Sequence, residues 1–363
     1  MTSFNLSNMK QRPFTRREFI VTGTIGTLAI ASGCTGTSSK AVVSVVKIKN
    51  GDIAYAVEQA LDLLGGIREI TKNKDRIMLK PNLVFSDPRC TTKPEVVGAL
   101  ARLMKEAGKQ VSIGEGSAAA PGFNITEEAI YKTSNPDILD PMQQFVFDRL
   151  GYTELAKSLG IPLVNLHTGE MVEVDVPDAR VYDRITLHKS LSEIDLLCSV
   201  PMMKTHVMAT VTLGMKNLIG LYAGEAYCAV RSCVHNDALD KGSPGIAFEI
   251  LDMVKACTPG LVVIDGSTAM EGNGPSDGEL VDAKLIIAGT NPLATDMVAA
   301  HLMGFDTSEV PTFTLAIESG MKPADLEEIE IRGESPSKVQ MAFTKPDIIP
   351  WSEIKGFFGA EEV

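Results

Sequence analysis

A lysine, a threonine and a histidine stand in a row at Lys204-Thr205-His206. A second lysine, Lys216, follows ten residues past the histidine, and then come Asn217 and Gly220. Imidazole suits metal ligation or proton transfer near neutral pH. A lysine amine taken out of water can act as a nucleophile or a covalent anchor, and its ammonium form holds carboxylate or phosphate groups. His206 is therefore a candidate acid–base group or metal ligand. Lys216 is a candidate catalytic amine or cofactor attachment point, Lys204 a catalytic or anion-holding cation, and Asn217 a substrate contact.

Four further groups could join them. Lys80-Pro81-Asn82 offers a cation and an amide to a small anionic substrate. Gly114-Glu115-Gly116-Ser117 lets backbone approach a ligand closely, with Glu115 as metal ligand or proton acceptor. Asp265-Gly266 and Glu271-Gly272-Asn273-Gly274-Pro275 place two carboxylates among glycines, which suits a hard cation or a general base. His235 follows in a polar stretch as a possible cofactor contact. Asp296 sits near the start of a helical pattern, where the helix dipole accounts for it nearly as well. His167, His188 and His301 read as structural or surface residues.

The pattern that must position these residues is one of strands alternating with helices. Residues 41–49 are rich in β-branched residues and read as a strand, as do 76–84 and 111–117; between them 53–64 carries apolar residues at helical spacing, and 94–107 reads as a helix with Pro94 in its first turn and Gly108 at its end. This order predicts an α/β fold with a mostly parallel, doubly wound sheet flanked by helices, with two lobes around a cleft as one arrangement it allows. Residues 194–200 read as a central buried strand stopped by Pro201, so that 204–220 become a loop at a strand's carboxyl end, where ligands sit in such sheets. Further strands are expected at 162–166, 261–266, 284–289 and 328–333, helices at 145–159, 246–256 and 292–303, a hairpin at the sheet edge over 172–187, and a polar loop up to about residue 243.

Residues 1–33 read as a targeting leader: Thr15-Arg16-Arg17-Glu18-Phe19-Ile20 fits the twin-arginine export pattern, and a mildly apolar stretch follows. Ala31-Ser32-Gly33-Cys34 reads as a lipobox that would lipidate Cys34, with 34–40 as a tether; cleavage after Ala31 is the other possibility. The expected partners are the export machinery, a membrane reached through the lipid, and a small ligand. The expected location is the periplasm or the outer membrane face. The net charge of −12 becomes −15 once the leader's +3 is removed, which argues against nucleic acid as a partner. No Cys-x-x-Cys occurs, so the chain is not expected to hold an iron–sulfur cluster of its own. Cys228-x4-Cys233-x-His235 leaves a disulfide, a metal site and plain loop residues all open. Residues 336–363, with Trp351 and Phe357-Phe358, are expected to pack back on the body.

Taken together, Lys80-Pro81-Asn82, Gly114-Glu115-Gly116, Lys204-Thr205-His206, Thr212 through Lys216-Asn217 to Gly220, His235, Asp265-Gly266, Glu271 to Pro275, and Asn291-Pro292 with Asp296 resemble the bacterial and archaeal family called domain of unknown function 362. The likeness covers residues 41–335. Many members of that family carry an added ferredoxin-like segment that this chain lacks, so intrinsic electron transfer is not implied here. A fainter resemblance is to the nickel-pincer lactate racemases, in which a His, a Lys about ten residues on that holds the cofactor covalently, and another His form the site. His206, Lys216 and His235 would fill those places, although the racemases' glycine-rich stretch between the first two is not reproduced. The reading is an exported metal- or cofactor-dependent enzyme acting on a small anionic substrate, with racemase-like, isomerase-like or redox chemistry. The alternative is a non-catalytic lipoprotein that captures a small molecule or metal, or serves a membrane redox complex.

Overall fold

In the computed structural model, residues 40–127, 129–350 and 353 are described. The twin-arginine leader, Cys34, Trp351 and Phe357-Phe358 lie outside them.

The strands are β1 (Ala41–Lys47), β2 (Arg76–Pro81), β3 (Gln110–Glu115), β4 (Leu163–Asn165), β5 (Met171–Asp175), β6 (Arg184–His188), β7 (Leu196–Val200), β8 (Met202–His206), β9 (Thr210–Thr212), β10 (Leu261–Glu271), β11 (Glu279–Val281), β12 (Leu285–Gly289) and β13 (Ile329–Gly333). The helices of eight or more residues are α1 (Ile53–Asp62), α2 (Pro94–Glu106), α3 (Pro136–Arg149), α4 (Tyr152–Leu159), α5 (Ser232–Asp240), α6 (Ala247–Ala256), α7 (Pro292–Leu302) and α8 (Pro311–Glu318). The main sheet runs β13-β1-β12-β10-β7-β2-β3-β4. Every neighbouring pair is parallel except the two that β12 makes, with β1 and with β10. β12 alone therefore points against the other strands of this spine. The sheet is continuous from β13 to β4.

Alternation along each inner strand sorts side chains onto two apolar layers, as a pleated strand buried on both faces requires. Ile77, Leu79, Leu196, Cys198, Val200, Leu261, Val263, Ile286 and Ala288 pack beneath α1, α2, α3 and α4. Met78, Leu197, Val262, Ile264, Leu285 and Ile287 pack beneath α6, α7 and α8. Each such aliphatic side chain contributes about 1.5–3 kcal/mol by leaving water.

From β2 the chain moves outward to β3 and β4. From β7, its other neighbour, it moves the opposite way, to β10. The carboxyl ends of β2 and β7 thus flank the point where strand order reverses, the usual crevice for ligands in open α/β sheets.

Three expectations need correcting. Pro201 bends the chain but does not end the strand: β8 follows at once and pairs with the far half of β10 across an irregularity between Asp265 and Met270. Lys204-Thr205-His206 therefore lies on a strand, fixed against β9. Residues 172–187 form a separate two-stranded sheet, β5-β6, away from the main sheet edge. Its turn is held because Asp252 accepts backbone N–H groups of Arg180, Val181 and Tyr182. The polar stretch before residue 243 is largely helical and contains α5. At the other end, Val339 and Phe343 are buried against the body, and Met341 and Phe343 donate to the carbonyls of Leu302 and Met303 at the end of α7.

Candidate functional site

A cavity of about 110 Å³ opens over the carboxyl ends of β2 and β3, walled by Lys80, Asn82, Glu115, His206, Lys216, Asn217, Gly220, Arg231 and His235 among others. Its floor is a buried ion pair. Lys80 and Glu115 are 1% and 2% exposed and 2.7 Å apart. The other Glu115 oxygen accepts the Leu83 N–H at 2.9 Å. Lys80 also donates to the Pro81 carbonyl and to Asn217 Oδ1. An ammonium has three donors, so all of Lys80's are engaged within the protein. Lys80 therefore lends charge to the cavity and has no N–H left with which to grip a substrate.

Asn217 is likewise fully used. Its amide nitrogen donates to the Lys80 carbonyl and to Ser199 Oγ, both at 3.0 Å. It pins the short 3-10 helix Lys216–Leu221 onto the paired strand ends of β2 and β7. That contact needs Gly220, where a Cβ would stand 2.3 Å from Glu115 Oε1 and 2.6 Å from Lys80 Nζ. Asn217, expected to touch substrate, is a positioning residue in this geometry.

Lys216 stands at the start of this 3-10 helix, partly accessible along the cavity. Among the described residues its Nζ has neither hydrogen bond nor ion pair. Burial, with Lys204 and Lys80 repelling from nearby, pushes its pKa down to about 7. The turn before it is anchored by Asp296, whose two carboxylate oxygens accept the Gly214 and Met215 N–H groups at 2.7 Å each. Asp296 does not serve as a helix-dipole partner alone; it holds Lys216 in place. Its own carboxyl is pushed up to about 7 by burial.

The two histidines are set by opposite neighbours. His206 Nδ1 accepts the Met208 N–H at 3.0 Å, which leaves the neutral ring its proton on Nε2. Burial and the charges of Lys216 and Lys204 hold this ring neutral, well below its usual range. His235 Nδ1 lies 2.7 Å from Glu249 Oε1. Glu249 is completely buried on α6; burial pushes its carboxyl up and the His235 ring down, so one proton is shared between two neutral partners.

Arg231 is a wall residue that the sequence reading passed over. It is 2% exposed, and its guanidinium donates to the carbonyls of Ser117, Ala229, Gly116 and Gly220. It ties three wall segments together around a fixed positive charge. Glu249 was missed too, although its place at helical spacing from the apolar Ile246 and Met253 was a readable signal. Arg231 gave no comparable signal, because one arginine in a polar stretch looks like any other.

Three expected site residues lie outside the cavity wall. Lys204 is 1% exposed and donates to the carbonyls of Cys90 and Pro275; burial pushes it down to about 8. Asp265 lies within β10, not at its end, and accepts from the Lys93 N–H and from both N–H and Oγ of Ser267. Glu271 accepts the Thr344 N–H, and Asn273 pairs with Asp347 through both ends of its amide. The Glu271-to-Pro275 motif thus fastens the C-terminal segment, while Thr205 Oγ1 donates to its Gly272 carbonyl at 2.7 Å. The proposed metal set Asp265, Glu271, His206 and Glu115 does not converge, and among the described residues no three His, Cys, Asp or Glu side chains are placed to hold a metal. Lys216, His206 and His235, the donor set implied by the racemase likeness, do share the cavity.

Some of the buried polar atoms without partners, of which a native interior keeps few, stand at the cavity. Asn82 Oδ1 and Arg231 Nε belong to the wall, and Glu249 Oε2 lies behind His235. Asn82 Oδ1 is left without a partner on the cavity wall.

The family model described as "Domain of unknown function (DUF362)" matches residues 77–301. The chain belongs to this family. All the cavity residues named above fall inside the matched span. A thylakoid-associated protein of Synechocystis sp. is 28% identical over 280 residues, covering 76% of this chain and 78% of that protein. Among solved structures, the lactate racemase apoprotein of Thermoanaerobacterium thermosaccharolyticum aligns over 73% of this chain and 57% of its own length, with a TM-score of 0.42 and 15% identity.

Proposed function

We propose that this DUF362 member is an enzyme that binds a small anionic carbonyl compound in the cavity and engages it through the Lys216 amine. The observation that carries the reading is Lys216 itself: an unpaired amine in a cavity wall, pushed to about 7 by burial and by neighbouring cations. At neutral pH it is divided between an ammonium that attracts an anion and a free amine that attacks a carbonyl carbon. The wall is positive even before Lys216 is counted, since Lys80 and Arg231 face only Glu115. The volume suits a compact molecule: a cavity of about 150 Å³ takes up benzene, so about 110 Å³ suits an oxo- or hydroxy-acid of four to six heavy atoms.

In this reading the amine adds to the carbonyl, and loss of water gives an imine on Lys216. His206 Nε2–H and the His235–Glu249 pair carry the protons that this exchange moves. Asn82 Oδ1 accepts a hydroxyl from the substrate. A cofactor attached to Lys216, as the racemase resemblance implies, would supply an electron sink from the same position, with His206 and His235 as its other contacts.

The test is reduction in situ. Protein treated with glyoxylate or pyruvate and sodium cyanoborohydride should gain the substrate's mass on the peptide containing Lys216, and Lys216→Met should abolish the gain. Label spread over exposed lysines at equal rates would refute the reading and leave capture without turnover. Twin-arginine export and lipidation at Cys34 belong to the proposal, and a relative named as thylakoid-associated accords with a place at a membrane face. The mass of the mature N-terminus tests both.

A further inference from the structure

The turn before α5 and the first turn of α5 carry two cysteines, Cys228 and Cys233, that the chemistry above does not use. Cys228 Sγ and Cys233 Sγ lie 3.1 Å apart, and no disulfide joins them. Two thiolates on one tetrahedral metal, each at about 2.3 Å, would sit about 3.8 Å apart. The observed separation is shorter than that, and no third metal-ligating side chain joins the pair among the described residues. It is instead one short step from the bond length of a disulfide, about 2.05 Å.

The surroundings favour thiol chemistry. Cys228 is buried, whereas Cys233 is partly accessible. The Cys228 sulfur faces the Cys233 thiol, Ser232 Oγ at 3.4 Å, and the backbone N–H of Cys233. These donors, with Arg231 alongside, lower its pKa to about 6 and stabilise the thiolate. The turn holds its shape by other means. The Arg231 N–H donates to the Cys228 carbonyl at 3.1 Å, and the Ala229 N–H to Thr133 at 2.8 Å. Cys228 and Arg231 have φ of 53° and 61°, left-handed values that non-glycine residues adopt rarely.

We propose that Cys228 and Cys233 form a redox-active dithiol, oxidised by an organic or protein disulfide, whose closure ties the turn bearing Arg231 to the helix bearing His235. In the exchange, a disulfide R–S–S–R accepts two electrons from the pair. One S–S bond forms between Cys228 and Cys233, the R–S–S–R bond breaks, and the two thiol protons leave on two R–SH molecules. Val230, Arg231 and His235 of this stretch all line the cavity, so the pair adjoins the site without entering it. The proposal does not depend on the Lys216 reaction, and its test does not measure that reaction.

Trypsin cleaves after Arg231, between the two cysteines, so a disulfide here joins peptides 217–231 and 232–241. Full-length protein would be equilibrated with defined ratios of reduced to oxidised glutathione, quenched with acid, alkylated and digested without reductant. The same series would be run in urea. Native protein should yield the linked peptides at a ratio at least about tenfold more reducing than unfolded protein needs, because the fold already holds the sulfurs together. Equal ratios in both states would overturn the proposal. So would a persistent glutathione adduct on either cysteine of native protein, since a pair 3.1 Å apart must resolve it.

Discussion

The most direct consequence of burying Lys216 beside two other lysines is a change in its reactivity. Its pKa falls from 10.5 to about 7. At pH 7 about half of Lys216 is free amine, against roughly one part in 3,000 for an ordinary lysine, a gain of about 1,500-fold. Nucleophilicity falls with basicity. With a Brønsted slope of about 0.4, the size found for thiols, a drop of 3.5 units costs about 25-fold. The net advantage is about 60-fold. Trace acetic anhydride in competition with the exposed Lys72 measures it. Acetylation blocks trypsin at Lys216 and fuses peptides 205–216 and 217–231, which mass spectrometry quantifies from pH 5 to 10. A labelling midpoint near pH 7 and a rate tens of times that of Lys72 at pH 7 are expected. A midpoint near 10, or a rate at or below that of Lys72, would mean that the ammonium is stabilised by something other than the geometry described, and the reasoning would fail.

Replacing Lys216 with methionine should stabilise the protein. The amine's pKa is lower folded than unfolded, so between pH 7 and 10.5 the unfolded state binds the extra proton and stability rises with pH. The full cost is present below pH 7, at most about 5 kcal/mol and less because the side chain is partly accessible. The gain in urea unfolding should therefore be largest at pH 6 and fade towards pH 10. Glu115→Ala strands Lys80 without its partner and should cost about 3–5 kcal/mol; the double variant with Lys80→Met should recover much of this, and a single-variant loss under about 1 kcal/mol would refute the buried pair. Asp296→Ala leaves the Gly214 and Met215 N–H groups unpaired, a loss of about 1–3 kcal/mol for each. It should also move the Lys216 labelling midpoint upward, because the turn that holds the amine in place is released.

The sheet was legible because buried parallel strands announce themselves. Runs such as Leu196-Leu197-Cys198 and Leu261-Val262-Val263-Ile264 have few other uses, although Pro201 and Gly266 after them do not end the strands as such residues often do. The position of the site was legible for the same reason. His206, Lys80 and Glu115 lie at strand ends, Asn82 and Lys216 follow strands closely, His235 sits on α5, and all reach one cavity. The antiparallel course of β12 was not legible. It depends on a reversal through the 272–284 segment, whose glycines and aspartates permit several directions.

The roles of the acidic residues were the least legible, and the reason is specific. A carboxylate in a glycine-rich turn offers lone pairs, and the sequence does not say what fills them. At Asp265 and Asp296 backbone N–H groups fill them from segments far along the chain: Lys93 for one, Gly214 and Met215 for the other. Thr344 does so at Glu271. At Glu115 Lys80 does so directly. The same residue types that make a metal site make a backbone clamp, and only the pairing distances tell them apart. Lysines invert this argument. A lysine is ordinarily solvated, so one that is buried must be paired or functional. Lys80 and Lys204 are paired, to a carboxylate and to two carbonyls. Lys216, partly accessible through the cavity, has no such partner among the described residues. The sequence named all three alike; only their partners, a carboxylate and backbone carbonyls for Lys80 and Lys204, tell them apart from Lys216.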